Sequence, residues 1–218
     1  MIQRSFLIWI VFFLLSSCND KKKTFYENGT LESEIEMTGD VRNGEALWYF
    51  PNGHVMEKAT YKDGKLDGEY TKFFQNGRKQ IIKTYKNGEL HGKHIEYLLI
   101  GNPTIIENYK NGKLDDEWKK YNDETHMLEA EGQFSNGMKD GKWIYYNAYG
   151  DVEGKGIFNN GNGKDTFWYP NGKIKQVTEY KNGKKDGTNI LYHSDGRIYS
   201  KQIYQDDTLI EEQKDATE

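Results

Sequence analysis

The feature that most constrains this chain is a period. The stretch Tyr61 to Gly77, YKDGKLDGEYTKFFQNG, returns as YKNGELHGKHIEYLLIG from Tyr85 and as YKNGKLDDEWKKYND from Tyr109. It returns again as FSNGMKDGKWIYYNAYG from Phe134, FNNGNGKDTFWYPNG from Phe158 and YKNGKKDGTNILYHSDG from Tyr180. The opening aromatic falls at 61, 85, 109, 134, 158, 180 and 204, a step of 24 with slips to 25 and 22. Met37 fills the slot one period earlier. A fixed period in this range marks a repeat architecture, in which each unit covers its neighbour's apolar surface.

The turns say what each unit is. Asn-Gly or Asp-Gly between apolar runs signals a hairpin with a type I′ turn, because that turn needs φ > 0 at both central residues. Such pairs recur twice per period. One set is Asn28-Gly29, Asn52-Gly53, Asn76-Gly77, Asn171-Gly172 and Asp195-Gly196. The other is Asp63-Gly64, Asn87-Gly88, Asn111-Gly112, Asn136-Gly137, Asn160-Gly161 and Asn182-Gly183. The sets alternate at about 11 and 13 residues, room for one strand each way. A third glycine, at 44, 68, 92, 141 and 187, predicts a bulge or a close backbone approach. Nothing in the body reads as a helix. The expected fold is all-β, an elongated, twisted antiparallel sheet of tandem β-hairpin repeats of about 24 residues.

Mean hydropathy is −0.93, yet aromatics make up 14% of the chain and fall at fixed phases. Tyr49, Phe73, Tyr97, Tyr121, Tyr146, Trp168 and Tyr192 lie about twelve residues past each repeat start. With the opening aromatics, they are expected to stack between repeats into ladders that form the core. Lys83, Glu107, Glu131 and Lys155, one period apart, are expected to point outward as a mixed-charge surface.

The N-terminus reads differently. Met1 to Ser17 carries Arg4 and then an unbroken apolar run from Phe6 to Leu15. Ten residues rise only about 15 Å as a helix, short of a bilayer core of about 30 Å, so the segment fits a secretory signal peptide. Leu15-Ser16-Ser17-Cys18 resembles the lipobox of bacterial lipoproteins. That resemblance implies cleavage before Cys18 and acylation of its thiol, with lipid attachment at Cys18 holding the protein on a membrane. Cys18 is the single cysteine, so no intramolecular disulfide forms. The expected organisation is a signal peptide at 1–17, the acylated cysteine and a polar tether at 18–24, the repeat array at 25–210 and a polar tail at 211–218. Asn19 in place of an aspartate after the cysteine favours the outer over the inner membrane of a bacterial envelope.

The repeat YKNGKLDGxWxxYxxNG resembles the MORN-type repeat, in particular its bacterial variant in exported proteins and toxin–antitoxin partners. The similarity covers about residues 25–210, with Asp40, Asp116 and Thr125 standing where the pattern has glycine. The resemblance implies a hairpin ribbon used for protein or membrane association. The segment DGKWIYYNAYGDVEGKG, Asp140 to Gly156, also resembles a choline-type cell-wall-binding repeat, whose arrays cage ligands between aromatics.

Little catalytic chemistry is legible. A net charge of −4 gives no reason to expect a nucleic-acid partner. His91 and His94 are three apart on an expected strand, so their rings point to opposite faces and no shared metal is expected. The acidic residues (Glu32, Glu34, Glu57, Glu129, Glu131, Glu153) recur along a solvated stretch, without the cleft and unlike environments of a catalytic carboxylate pair. No phosphate loop, nucleophile triad or calcium loop is present. The chain is expected to be a non-enzyme without cofactor. Its expected role is that of a membrane-anchored adaptor or structural scaffold for a protein partner. An immunity or antitoxin-like role and a glycan-binding role are the alternatives. Trp48, Trp118, Trp143 and Trp168 are the candidate binding surface, on the expectation that they are exposed.

Overall fold

The computed structural model describes residues 20–215, so Cys18 and the leader lie outside the described residues. Eighteen strands and no helix are found among them. The first six are β1 (Asp20–Phe25), β2 (Leu31–Thr38), β3 (Val41–Tyr49), β4 (Val55–Lys62), β5 (Lys65–Phe73) and β6 (Lys79–Lys86). Then come β7 (Glu89–Tyr97), β8 (Pro103–Lys110), β9 (Lys113–Leu114), β10 (Asp116–Tyr121), β11 (Leu128–Ser135) and β12 (Met138–Tyr146). The last six are β13 (Val152–Asn159), β14 (Asn162–Trp168), β15 (Ile174–Lys181), β16 (Lys184–Tyr192), β17 (Ile198–Gln205) and β18 (Thr208–Lys214). Each pairs antiparallel with the next in chain order, except that β8 pairs with both β9 and β10. The result is one open sheet of hairpin repeats, a meander whose end strands β1 and β18 are each paired on one side.

The two ends correct the expected boundaries. Asp20 to Thr24 is not a tether but most of strand β1, with Lys21 and Lys23 gripping Glu34 of β2 at 2.6 and 2.8 Å. These two ammonium groups hold the Glu34 carboxyl down at about 2. Glu211 to Lys214 likewise belongs to β18 and not to a tail. In both places the ladder of an existing edge satisfies backbone groups that sequence polarity had suggested were solvated.

The two edges of the ribbon use different turns. Along one edge Asn87 and Gly88, at φ 53° and 88°, take the left-handed values that type I′ requires, and the other tight turns follow. At Gly39-Asp40, where the order is reversed, the positive φ moves to Gly39, at 59°. Along the other edge the expected type I′ geometry is absent. In Phe50 to His54 only Gly53 has positive φ, Gly53 N–H donates to Phe50 O, and Phe50 N–H donates to His54 O. Asn52 Oδ1 instead accepts from His54 N–H at 3.1 Å. Asn28, Asn76, Asn171 and Asp195 repeat that contact. The side chain acts as a backbone mimic in a longer loop, a second reason for Asn or Asp at that site.

The third glycine marks a bulge, as expected. Ala59 pairs with Tyr70 and Tyr61 with Leu66, so Thr60 faces three residues centred on Gly68. Gly68 has φ 124°, and a Cβ there would sit 3.0 Å from Thr60 Cβ. In the fifth unit Asp116 takes the same left-handed role at φ 75°, and the strand is interrupted into β9 and β10. Both slips in the period have local causes. The two-residue deletion removes this bulge, leaving the β13–β14 register continuous. The extra residue lengthens the Asn122–Met127 loop, closed by Asn122 N–H to Met127 O, with His126 taking positive φ where Thr125 replaced the turn glycine.

Candidate interaction surface

Cα partners run in one row across a single sheet face: Ile35, Ala46, Ala59, Tyr70, Lys83, His94 and Glu107. The row continues through Trp118, Gly132, Trp143, Gly156, Asp165, Thr178, Asn189 and Gln202. Glu107 and Trp118 are placed opposite by the neighbouring pair Lys119–Ile106, and Gly132 faces the ring of Trp143. Side chains directly opposite or two apart share a face, and this row holds most of what is buried.

At its start the row is small and apolar, with Ala46 and Ala59 closed off by the strands themselves. Next comes a carboxylate clasp. Glu107, 8% exposed, meets His94 Nδ1 at 2.8 Å and accepts from Tyr109 OH at 2.8 Å and Trp118 Nε1–H at 3.2 Å. Burial pushes the Glu107 carboxyl up, but the hydrogen bonds from these three partners outweigh it and hold the group below its ordinary value. Burial, with Glu107 beside it, raises the Tyr109 hydroxyl to about 12. Glu107 was expected to point outward. A reading by period could not place it, because the extra loop residue moves Glu131 and Lys155 to the opposite face.

The centre is aromatic. Trp143, 2% exposed, stands 5.4 Å from the Trp118 ring and 5.1 Å from Phe134, and its Nε1–H donates to Gln133 O. Tyr145 meets Phe167 at 5.0 Å with the rings tilted by 34°, and Phe158 meets Tyr180 at 5.6 Å. The glycines of the partner strands permit this. A Cβ on Gly132 would lie 2.3 Å from the Trp143 ring, and one on Gly156 would lie 2.2 Å from Asp165 Oδ1. Lys139 reaches into the cluster, its Nζ 4.5 Å from the Trp143 ring centre and 5.1 Å from those of Tyr145 and Phe158. It donates to Tyr145 OH at 2.6 Å and to Asp165 at 3.4 Å, while Tyr145 OH donates to Asp165 Oδ1 at 2.8 Å. Burial pulls the Lys139 ammonium below its ordinary value against the attraction of Asp165. Burial, then Asp165, pushes the Tyr145 hydroxyl far up.

These contacts revise two expectations. The opening aromatics do form part of the core, but mainly through rings nine residues into the preceding unit, as in Tyr70–Tyr85 and Trp118–Phe134. Tyr49, Phe73, Tyr97, Tyr121, Tyr146, Trp168 and Tyr192 make none of the ring-to-ring contacts found among the described residues, so no ladder forms there. A register shift at each of them explains this. Trp48 pairs with Glu57 but Tyr49 with Val55, and the same skip recurs at Phe73, Tyr97, Tyr121, Tyr146, Trp168 and Tyr192. A second kind of bulge therefore recurs at each of these positions and spreads the rings apart along the long-loop edge. Of the four candidate tryptophans, the structure brings Trp118 and Trp143 together, and Trp143 is buried instead of exposed. Trp48 is half-buried beside the Arg42 guanidinium at 5.7 Å, and Trp168 lines a separate groove. Among the described residues no group of three or more His, Cys, Asp or Glu is arranged to hold a metal ion. His94 is occupied by Glu107 and Glu96.

Sequence reasoning missed the links along the tight-turn edge. Gly88 N–H donates to Leu66 O and Gly112 N–H to Leu90 O, each reaching back one repeat. Beside them Asn87 N–H donates to Asp67 Oδ2 at 2.9 Å, Asn136 N–H to Asp115 Oδ1 and Asn160 N–H to Asp140 Oδ1 at 2.8 Å. The signal was the recurring Asp just before the bulge glycine. These bonds lock successive units in register, so the molecule is a scaffold of repeats carried on one open sheet. Residues 21–38, 42–63, 66–87 and 162–182 match the family described as MORN repeat variant, and the chain is a MORN-type repeat protein. The longer matches start in the strand after one tight turn and end at the next, with the long loop in the middle. No curated protein matches the chain.

Proposed function

We propose that this protein is a non-catalytic, lipid-anchored scaffold of the bacterial envelope, outer membrane favoured, that holds a protein partner against its sheet. MORN-type repeats suggest a scaffold for protein or membrane interaction. The observation that carries the reading is the single open sheet: its hydrogen-bonded row satisfies itself on one face, and no second layer covers either face among the described residues. Such a surface offers many side chains at fixed spacing, which suits an extended partner. Cys18 stands two positions before Asp20, the first residue of β1, so acylation there would attach the sheet nearly at its edge. The test is Cys18→Ser with fractionation of cells, combined with cross-linking of the wild type at the membrane. The variant is expected to leave the membrane fraction and to lose the cross-linked species. Full retention of the variant in membranes would sink the anchor, and a wild type that cross-links to no protein would sink the scaffold.

A further inference from the structure

Two grooves adjoin on the long-loop edge, of about 560 and 340 Å³, and they share Asn147 and Glu153. Trp168 and Val152 line the larger and Tyr146 the smaller. Tyr146 and Trp168 sit at the second-bulge position of β12 and β14, so two strand spacings separate them, about 9–10 Å. Tyr146 is held in place by its hydroxyl, which donates to Glu131 Oε1 at 2.7 Å. Between the two rings the bulge of β13 carries Glu153, half-buried, the residue skipped when Tyr146 pairs with Val152 and Tyr145 with Gly154.

That carboxylate distinguishes this place from the rest of the ribbon. The residues skipped at the equivalent bulges are Glu32, Met56, Gln80, Thr104, Glu129, Lys175 and Tyr199. Glu129 and Glu32 are the other acids: Lys120 at 2.9 Å and Asn122 at 2.9 Å engage Glu129, and Glu32 lines a groove that already holds the cations Lys22 and Arg42. Glu153 has no hydrogen bond or ion pair among the described residues. Asp151 adds a second carboxylate to the larger groove, against a single cation, Lys155.

We propose that this double groove binds a proline-rich segment of a partner protein in the polyproline II conformation, with a lysine or arginine seated on Glu153. The spacing selects that occupant. A polyproline II helix has three residues per turn at 3.1 Å each, so side chains i and i+3 share a face about 9 Å apart. A β-strand puts i and i+2 about 6.6 Å apart on one face, and its i+3 side chain points away. Two prolines three apart therefore rest on the Tyr146 and Trp168 rings, as proline rings do in other aromatic-lined grooves. A basic residue between them leaves the helix a third of a turn round from that face, and its long side chain reaches back to the free carboxylate beside the flanking aromatic faces, which favour a cation. The sheet already uses this pairing internally, at Arg42 over Trp48 and Lys139 over Trp143.

This inference rests on the scaffold reading and names the chemistry of its partner. The experiment titrates the full chain, purified in detergent, against a fluorescent twelve-residue peptide of repeating Pro-Pro-Arg, followed by anisotropy. Saturable binding is expected, with at least a tenfold loss for repeating Gly-Ser-Arg, which keeps the charge and loses the helix. Glu153→Gln, at a side chain with no partner to lose, is expected to weaken the Pro-Pro-Arg peptide about tenfold with its melting curve unchanged. Trp168→Ala is expected to do the same. No saturation, equal binding of Gly-Ser-Arg, or indifference to Glu153→Gln would overturn the proposal. Displacement of the peptide by a tetramer of N-acetylglucosamine would also overturn it, in favour of a sugar site. A cross-linked membrane partner that survives Glu153→Gln would reject this groove and leave the scaffold reading standing.

Discussion

The aromatic centre, from β10 to β14, and the polar ladder, from β15 to β18, fill the same row of the same sheet by opposite means. In the centre, rings lie over glycine backbone and shut Trp143 off from water. In the ladder, Thr178 Oγ1 and Gln176 Nε2 donate to Asn189 Oδ1 at 2.7 and 2.9 Å, and Asn189 Nδ2 donates to Gln202 Oε1 at 2.7 Å. Gln202 Nε2 and Ser200 Oγ then donate to Glu212 at 2.8 and 3.1 Å. Thr178 and Ser200 are as buried as Trp143, yet the burial is of hydrogen-bonded groups and contributes little apolar area. The turns and the edge links hold the period. The row is then free to be oily in one unit and polar in the next, provided each polar atom is met.

The comparison breaks most sharply at Trp143. Trp143→Ala is expected to destabilise the array by about 3–5 kcal/mol, the loss for deleting a large buried aromatic. Amide exchange should accelerate in β11 to β13 and stay near wild type in β16 to β18, because coupling in such arrays runs between neighbours. Uniform acceleration throughout the sheet would mean that the two regions are one cooperative core.

A smaller effect is expected at the matching position of the ladder. Asn189→Ala removes the acceptor of the Thr178 hydroxyl and the shortest partner of the Gln202 amide oxygen, and leaves Gln176 only Thr178 Oγ1, at a cost of about 1–3 kcal/mol for buried groups left unmet. Its signature is local exchange in β15 to β17. A loss as large as that of Trp143→Ala, in the same denaturant melts, would show that polar rungs carry as much stability as rings.

The smallest effect lies outside both regions, at the Glu107 clasp on β8, and is read by pH. Glu107 is held below its ordinary value in the folded state, so the unfolded chain binds its proton first as pH falls. Its stabilisation is complete above the unfolded value of about 4.3 and is lost as pH drops through the lower folded value. Stability between pH 5 and 3 is therefore expected to fall less steeply in Glu107→Gln than in the wild type. Identical acid limbs would show that the His94, Tyr109 and Trp118 contacts do not hold the charge.

Much of the fold was legible because its determinants are local. Asn87-Gly88 announces a left-handed pair, Gly68 a bulge, and the constancy of both at one period announces a hairpin array. The two edges were harder to tell apart. Asn52-Gly53 and Asn87-Gly88 are the same dipeptide, and only the surrounding ladder decides whether the asparagine turns left-handed or folds its side chain onto the next amide. At the candidate surface, Trp168 and the other tryptophans could be named but not placed, since naming a ring does not say whether a second bulge turns it away from its neighbours.

By itself the sequence determined the class: an all-β repeat sheet, its period and its turns, because those depend on φ preferences within a few residues of chain. Only the tertiary structure decided which side chains meet. Glu107 and Glu131 look equivalent at a spacing of one period, yet a single residue inserted between Asn122 and Met127 puts them on opposite faces. One finds His94, Tyr109 and Trp118, and the other finds the Tyr146 hydroxyl. Alternation along a strand has a period of two, so any odd slip reverses every side chain beyond it, and register is a property of the assembled ladder.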